Sequence, residues 1–458
     1  ILAATLIGLP WADGGRSPVG QVALVLLLGL AGAAGFLARD VRPPLRPSLL
    51  LALGAILVGA SALQTIHPDR TIHALLLLVA YLLAAALAAR AARDAPWTER
   101  ALLDAVSLSG LLVVGLGTLW LIRGNDGGFY ANALIGPFGY PNAVAGFLLL
   151  VGGAAAAALQ SDWSRIERGA ALVACAACLF GLYFTRSRGA WVAVAVGCLC
   201  WASIQWQHEW SSRHLWVVLA ALTLLAGLSL AGSRVAGLLP FLWPGGPELP
   251  ADTSVQWRLS ILRWTWAMIR DHPWLGVGPG AFPVALIHYQ QIPYLSGENP
   301  HNLYAEIAVE YGLIAGLLFS VGLAICLVRV AMATRRISAT HPVRGRRAAL
   351  LAALVAFAIH SGMDLDWSFP AVALLAAVIL GLAAAGLPLR HPRSPRYPSL
   401  WRTAALLVLA AAAILALTRY YSATLVAWGR DALAAGDLAR AEQYLIRAQH
   451  LNPLSFSA

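Results

Sequence analysis

Runs of about 20 apolar residues recur along the chain, near positions 1–10 (partial), 19–38, 48–66, 71–91, 101–122, 141–160, 168–185, 188–206, 214–233, 303–330, 347–363, 370–388 and 402–421. A helix needs about that length to cross a ~30 Å hydrocarbon layer. Inside lipid every backbone N–H and C=O must be satisfied within the chain, which leaves helices or closed barrels. These runs are continuously apolar and do not alternate, so they are helices. Composition agrees: 59% of the 458 residues are hydrophobic and 12% charged, against about 25% charged in a soluble protein. The expectation is an all-α polytopic membrane protein, a bundle of about 12–13 transmembrane helices with one long extramembrane loop. Ile1 to Pro10 reads as the tail of a truncated first span, and no cleavable signal peptide is visible.

The cations give the orientation. All 32 basic residues are arginine. Without lysine there is no Walker A loop, Schiff base or lysine general base. Of these, 19 lie in alternate short connections: Arg39/Arg42/Arg46, Arg90/Arg93/Arg100, Arg165/Arg168, Arg213, the group from Arg329 to Arg347, and Arg390/Arg393/Arg396/Arg402. By the positive-inside rule that side is cytoplasmic. Arg16, Arg70, Arg123 and the pair Arg186/Arg188 occupy the sparse opposite side. The net charge of +11 is therefore largely topological, and no nucleic-acid partner is expected. Five cysteines sit in apolar runs without zinc-ribbon spacing and read as packing residues.

Four regions follow: N-terminal helices over 1–233, a long outer loop over 234–301, C-terminal helices over 302–421, and a tail over 422–458. In the loop, Trp257, Ile261, Trp264 and Met268 recur at helical spacing with Arg258, Arg263 and Arg270 between them. That pattern fits a helix on the membrane interface and a folded lid over a site. The tail, from Gly429 to Pro453, resembles a single tetratricopeptide repeat. One repeat cannot bury a core alone, so the expectation is either that more repeats follow Ala458 in the intact protein or that this one docks on the membrane domain.

Three constellations carry chemistry. His301-Asn302 stands where the loop ends and a helix begins, with Asn302 as the N-cap. A site where water meets lipid-borne substrate needs a group able to take and give a proton, and histidine is the residue type suited to it. Glu306 and Glu310, four apart, share a helix face and should turn inward, Glu310 as structural partner to an arginine. Arg186-Ser187-Arg188-Gly189 puts two cations at the outer mouth of a hairpin, against the charge bias. Forked guanidinium groups match phosphate oxygens, and Arg258 is a third of that kind. His360 to Asp366 places a histidine and an Asp-x-Asp pair in a short outer loop. Such a pair holds metal in nucleotide-sugar enzymes, but helix capping is commoner; His360 or Asp364 is expected to orient substrate, with no metal and no cofactor.

In this order and spacing, Arg186-Ser187-Arg188-Gly189, Arg258, the stretch Pro273 to Phe282, His301-Asn302, Glu310-Tyr311-Gly312 and His360 with Asp364 resemble the O-antigen ligase/O-antigen polymerase superfamily, as does Pro137 to Asn142. The resemblance implies a GT-C-like fold in the bacterial inner membrane, with site and tail periplasmic. It also implies glycan transfer from an undecaprenyl diphosphate-linked donor without metal. Arg188, Arg186 and Arg258 would hold the diphosphate, His301 would sit at the reacting sugar, and Asn302, His360 and Asp364 would serve the substrate. The acceptor is left open between lipid A-core, a lipid-linked repeat and protein; the tail points to a polymerase or a variant with a protein partner. The alternatives are a transporter of polysaccharide or a small anion, which should place polar groups at mid-membrane, and a scaffold presenting the tail.

Overall fold

The computed structural model describes residues 1–37, 49–94, 96–124, 132–205, 251–290, 297–387 and 398–455. Among these, every regular element is helical. In order they are α1 (Leu2–Gly8), α2 (Pro18–Leu37), α3 (Leu49–Leu63), α4 (Pro68–Asp94), α5 (Pro96–Ile122), α6 (Pro141–Leu159), α7 (Arg165–Thr185) and α8 (Arg188–Gln205). After the long loop's first part come α9 (Ala251–Asp271), α10 (Phe282–Leu286), α11 (Leu303–Tyr311), α12 (Leu313–Arg335), α13 (Pro342–Ser361), α14 (Pro370–Ala384), α15 (Pro398–Ala434) and α16 (Leu438–Leu451). Seven of them start on a proline, which needs no N–H partner in a first turn and so permits sharp entries.

Eight described helices (α2, α4 to α8, α12 and α15) are long and apolar enough to cross a membrane. The chain is an all-α polytopic membrane protein. The expected span at 214–233 lies outside the described residues. In the centre, α6, α13 and α14 are buried along most of their lengths. Small residues let the backbones approach there. A Cβ on Gly153 would lie 2.1 Å from that of Ala353, and one on Gly381 would lie 2.2 Å from the Ala85 carbonyl oxygen.

The two ends of the bundle differ. At one end arginines tie helix termini together: Arg93 donates to the Ala385 carbonyl (2.9 Å), Arg335 to that of Ser203 (3.1 Å), and Arg346 pairs with Glu99 (3.1 Å). Arg100 pairs with Glu167 at the same end. The other end carries the 13–16 turn, the 136–142 turn, the α7–α8 hairpin, α9 to α11 and the 362–369 loop.

Three expectations change here. The run 303–330 is not one span: it breaks at Gly312, whose φ of +91° turns α11 out of line with α12. At 9 residues α11 cannot cross a bilayer. The apolar stripe of α9 is not spread on lipid either. Ile261, Trp264 and Met268 are buried in a second core with Val277, Phe282, Leu286 and Val309, while Trp266 and Trp274 are exposed. The boundary expected between 421 and 422 falls inside the unbroken helix α15.

Backbone contacts fasten this second core. Val277 N–H donates to Val309 O (2.9 Å), Gly278 N–H to Glu310 O (3.0 Å), and Leu313 N–H to Pro273 O (2.8 Å). Thr71 Oγ1 donates to Pro279 O (2.8 Å) and Ser61 Oγ to Glu310 O (2.8 Å), tying it to α3 and α4. The glycine-rich 276–280 stretch is thus a close backbone clamp. A Cβ on Gly312 would lie 2.1 Å from the Trp274 carbonyl oxygen. Gly312→Ala should lower stability by about 1–3 kcal/mol in a detergent melt, from strained φ and lost fit. Gly322→Ala, in a helix with nothing within 4 Å of the new Cβ, should melt at or above wild type. Equal melting of the two variants would contradict the clamp.

Candidate functional site

Asp364 is the hub of the polar end. Its side chain is 3% exposed. Oδ2 accepts from the Arg258 guanidinium at 2.9 Å and from the Asn142 amide. Oδ1 accepts from the Tyr140 hydroxyl at 2.9 Å and from the backbone N–H of Leu365 at 2.9 Å. His301 Nδ1 stands 3.6 Å from the same Oδ1, within ion-pair reach but beyond a direct hydrogen bond. Burial alone would raise the Asp364 carboxyl; the His301 ring and the Arg258 guanidinium outweigh it and hold the group below the usual carboxylate range.

Local structure sets each of these positions. Tyr140 and Asn142 flank Pro141, the first residue of α6, after a 3-10 turn closed by Gly139 in the left-handed region. Arg258 rides on α9 and keeps a third of its side chain exposed, so part of the guanidinium faces outward. His301 has φ +54°, unusual for a non-glycine residue and a mark of sites where surrounding structure fixes the backbone. Asn302 caps α11 as expected: its Oδ1 accepts from Ala305 N–H (3.0 Å). Its amide also donates to Gly362 O (2.9 Å), joining the His301 junction to the 362–369 loop.

A second buried network lies one turn away. His360 Nδ1 meets Asp366 Oδ2 at 2.7 Å, and His360 Nε2 lies 3.2 Å from Ser187 Oγ. Ser361 Oγ also donates to Asp366 (3.3 Å). Burial pushes the Asp366 carboxyl up, partly offset by the His360 charge. The four groups are almost fully buried, so this chain holds the α7–α8 hairpin against the loop. Asp366 Oδ1 sits over Gly146, where a Cβ would lie at 2.4 Å. The Asp-x-Asp pair therefore divides, Asp364 serving Arg258 and Asp366 serving His360.

The hairpin carries Arg186 and Arg188, both exposed. Arg186 ends α7 at φ +57°. Neither arginine has an ion-pair partner among the described residues. The structure thus joins Arg258, His301, Asn302 and Asp364 directly, while Arg186 and Arg188 flank Ser187, which is tied to His360 in the second network. It brings in Tyr140, Asn142, Asp366 and Ser187, which lay in motifs singled out in the sequence but were given no site role of their own there.

Glu310 behind this site is met by the Phe282 backbone N–H (3.3 Å), not by the arginine expected. Burial pushes its carboxyl up to about 7, with backbone donors and Arg70 opposing. The ordinary value is 4.5. Between those values the folded chain binds a proton that the unfolded chain has lost. This contribution is complete below 4.5, fades as pH climbs to about 7, and is absent above. Glu310→Gln should flatten the fall in melting temperature between pH 4.5 and 7; an unchanged slope would refute it.

Cationic side chains, a strained histidine and buried carboxylates at one end of an apolar helix bundle define a polytopic membrane protein with a polar site at one end of its bundle. Residues 173–320, from α7 through the first part of α12, match the family model described as O-antigen ligase. That match supports the O-antigen ligase/polymerase superfamily of membrane glycosyltransferases. No curated protein matches the sequence.

Proposed function

We propose that the protein transfers a glycan from undecaprenyl diphosphate to an acceptor hydroxyl at the outer face of the bacterial inner membrane, without a metal. The observation that carries this reading is the grouping of Arg258, Asp364 and His301 at the bundle end that also carries the exposed Arg186 and Arg188, which have no ion-pair partner among the described residues. The arginine-tied opposite end supports an outward-facing site by the positive-inside rule. A transporter would need its polar groups at mid-membrane, and here they gather at one end.

In the reaction the acceptor oxygen bonds to the sugar anomeric carbon, and the carbon–oxygen bond to the diphosphate breaks. The diphosphate leaves with the bonding electron pair. Charge develops on that leaving group, so fixed cations aimed at it are the main requirement. Arg188 and Arg186 meet the phosphates, and Arg258, aligned by Asp364, presents its remaining N–H groups. His301 accepts or positions the proton of the acceptor hydroxyl. Each carboxylate of the Asp-x-Asp pair already has protein partners, which supports metal-free chemistry. Ligase and polymerase differ only in the acceptor supplied.

Arg188→Ala, Arg258→Ala and His301→Ala should each reduce transfer by at least about 100-fold while membrane insertion persists. Full activity in all three would remove the assignment. His301→Gly, which relieves the positive φ, should also lose transfer yet melt no lower than wild type, the strain removed being roughly 1 kcal/mol. EDTA should leave the rate unchanged; inhibition reversed by magnesium would restore the metal reading.

A further inference from the structure

A cavity of about 470 Å³ opens beside His301, walled by Asp13, Arg16, Tyr140, Glu298 and Asn299. It lies on the Oδ1 side of Asp364, where His301 and Tyr140 stand. Arg258 meets the other oxygen and is not part of the wall. Nor are Arg186 and Arg188. We propose that this cavity binds an uncharged, hydroxyl-rich saccharide, the acceptor sugar, and delivers its hydroxyl to His301. This rests on the transferase reading above and adds a subsite to it.

Charge decides against a phosphate here. Two carboxylates, Asp13 and Glu298, face one guanidinium, and Arg16 is already paired with Glu298 at 2.9 Å. An anion would meet net repulsion, whereas sugar hydroxyls both donate and accept and can bond to carboxylate, guanidinium and amide alike. The volume lies within the range of small-molecule sites. The ring of Tyr140 supplies an apolar face for a pyranose. Geometry decides for the acceptor over the donor sugar. An in-line attack brings the nucleophile from the side opposite the leaving group, and Arg186, Arg188 and Arg258 lie outside this cavity.

The wall is preorganised. Asp13 and His301 are two of the three described non-glycine residues with positive φ, and both face the cavity. The turn that carries Asp13 and Arg16 is held by the fold. Gly14 has φ +61°, and a Cβ there would lie 2.6 Å from both Phe138 and Phe369. Its carbonyl accepts from Ala371 N–H at 2.9 Å. The Arg16 guanidinium rests 5.2 Å from the Phe369 ring centroid. Nothing in helix packing requires an acid and a base at these surface positions.

The test uses the full chain in its native membranes, with two readouts: glycan product on a gel, and the lipid diphosphate-linked donor that copurifies with the protein. Asp13→Asn and Glu298→Gln should each lower product about 10-fold with copurifying donor within twofold of wild type, the scale of one lost hydrogen bond to a charged group. The exchange R16E with E298R restores an ion pair but inverts the wall. It should stay as low as the single variants, whereas a merely structural pair would recover. Unchanged product in both single variants, donor lost in step with product, or recovery in the exchange would each overturn the assignment. Arg188→Ala distinguishes the underlying reading: it should lose donor and product together. Retention of both there would remove the transferase reading itself, whatever the cavity variants do.

Discussion

An ionised carboxylate buried at the end of an apolar bundle must be surrounded, because an unpartnered charge in low dielectric costs several kcal/mol. Asp364 meets that constraint with partners from three separate parts of the chain: Tyr140 and Asn142 at the start of α6, Arg258 on α9, and His301 before α11. The segment that carries Arg258 and His301 therefore cannot sit anywhere else without stranding the charge. The carboxylate fixes register between segments more than it adds stability, since replacing a buried ion pair by apolar packing is often neutral or better. Its presence in place of such packing reflects the site.

The second core and its clamp do for the backbone what Asp364 does for side chains. Val309 and Glu310 offer carbonyls to the 276–280 stretch, and Ser61 and Thr71 extend the contact into α3 and α4. His301 and Arg258 are thus mounted on a small folded unit held at both edges. That rigidity matters for charge stabilisation, because dipoles and cations that need not reorganise stabilise a developing charge far better than mobile ones.

Much of this was legible in the sequence. Apolar run length fixed the helices, and arginine placement separated the two ends. The Asn302 cap followed from residue type alone. Other features depended on contacts between distant segments. The break at Gly312 is hidden because 303–330 is apolar throughout and only a positive φ divides it. The stripe on α9 has the same period whether it meets lipid or protein, and Val277, Phe282 and Val309 decide the matter. The Asp-x-Asp spacing gives no sign that Asp364 and Asp366 take different partners. Asp13 and Arg16 sit almost 300 residues from Glu298, and only the packing of Gly14 on Phe138 and Phe369 unites them.

The last long helix has a mechanical consequence. At 37 residues α15 is about 55 Å long, well beyond a ~30 Å hydrocarbon layer, and it continues without a joint into the first arm of the tail hairpin. The hairpin is not left swinging: Asn452 donates to Asp69 Oδ1 (2.7 Å), and Arg419 pairs with the same carboxylate. Asp69 lies two residues from Thr71, which holds Pro279, and Val277 in turn holds Val309. A load applied to the tail is carried along α15 and through Asp69 into the helix that follows His301, so this end of the molecule behaves as a braced strut.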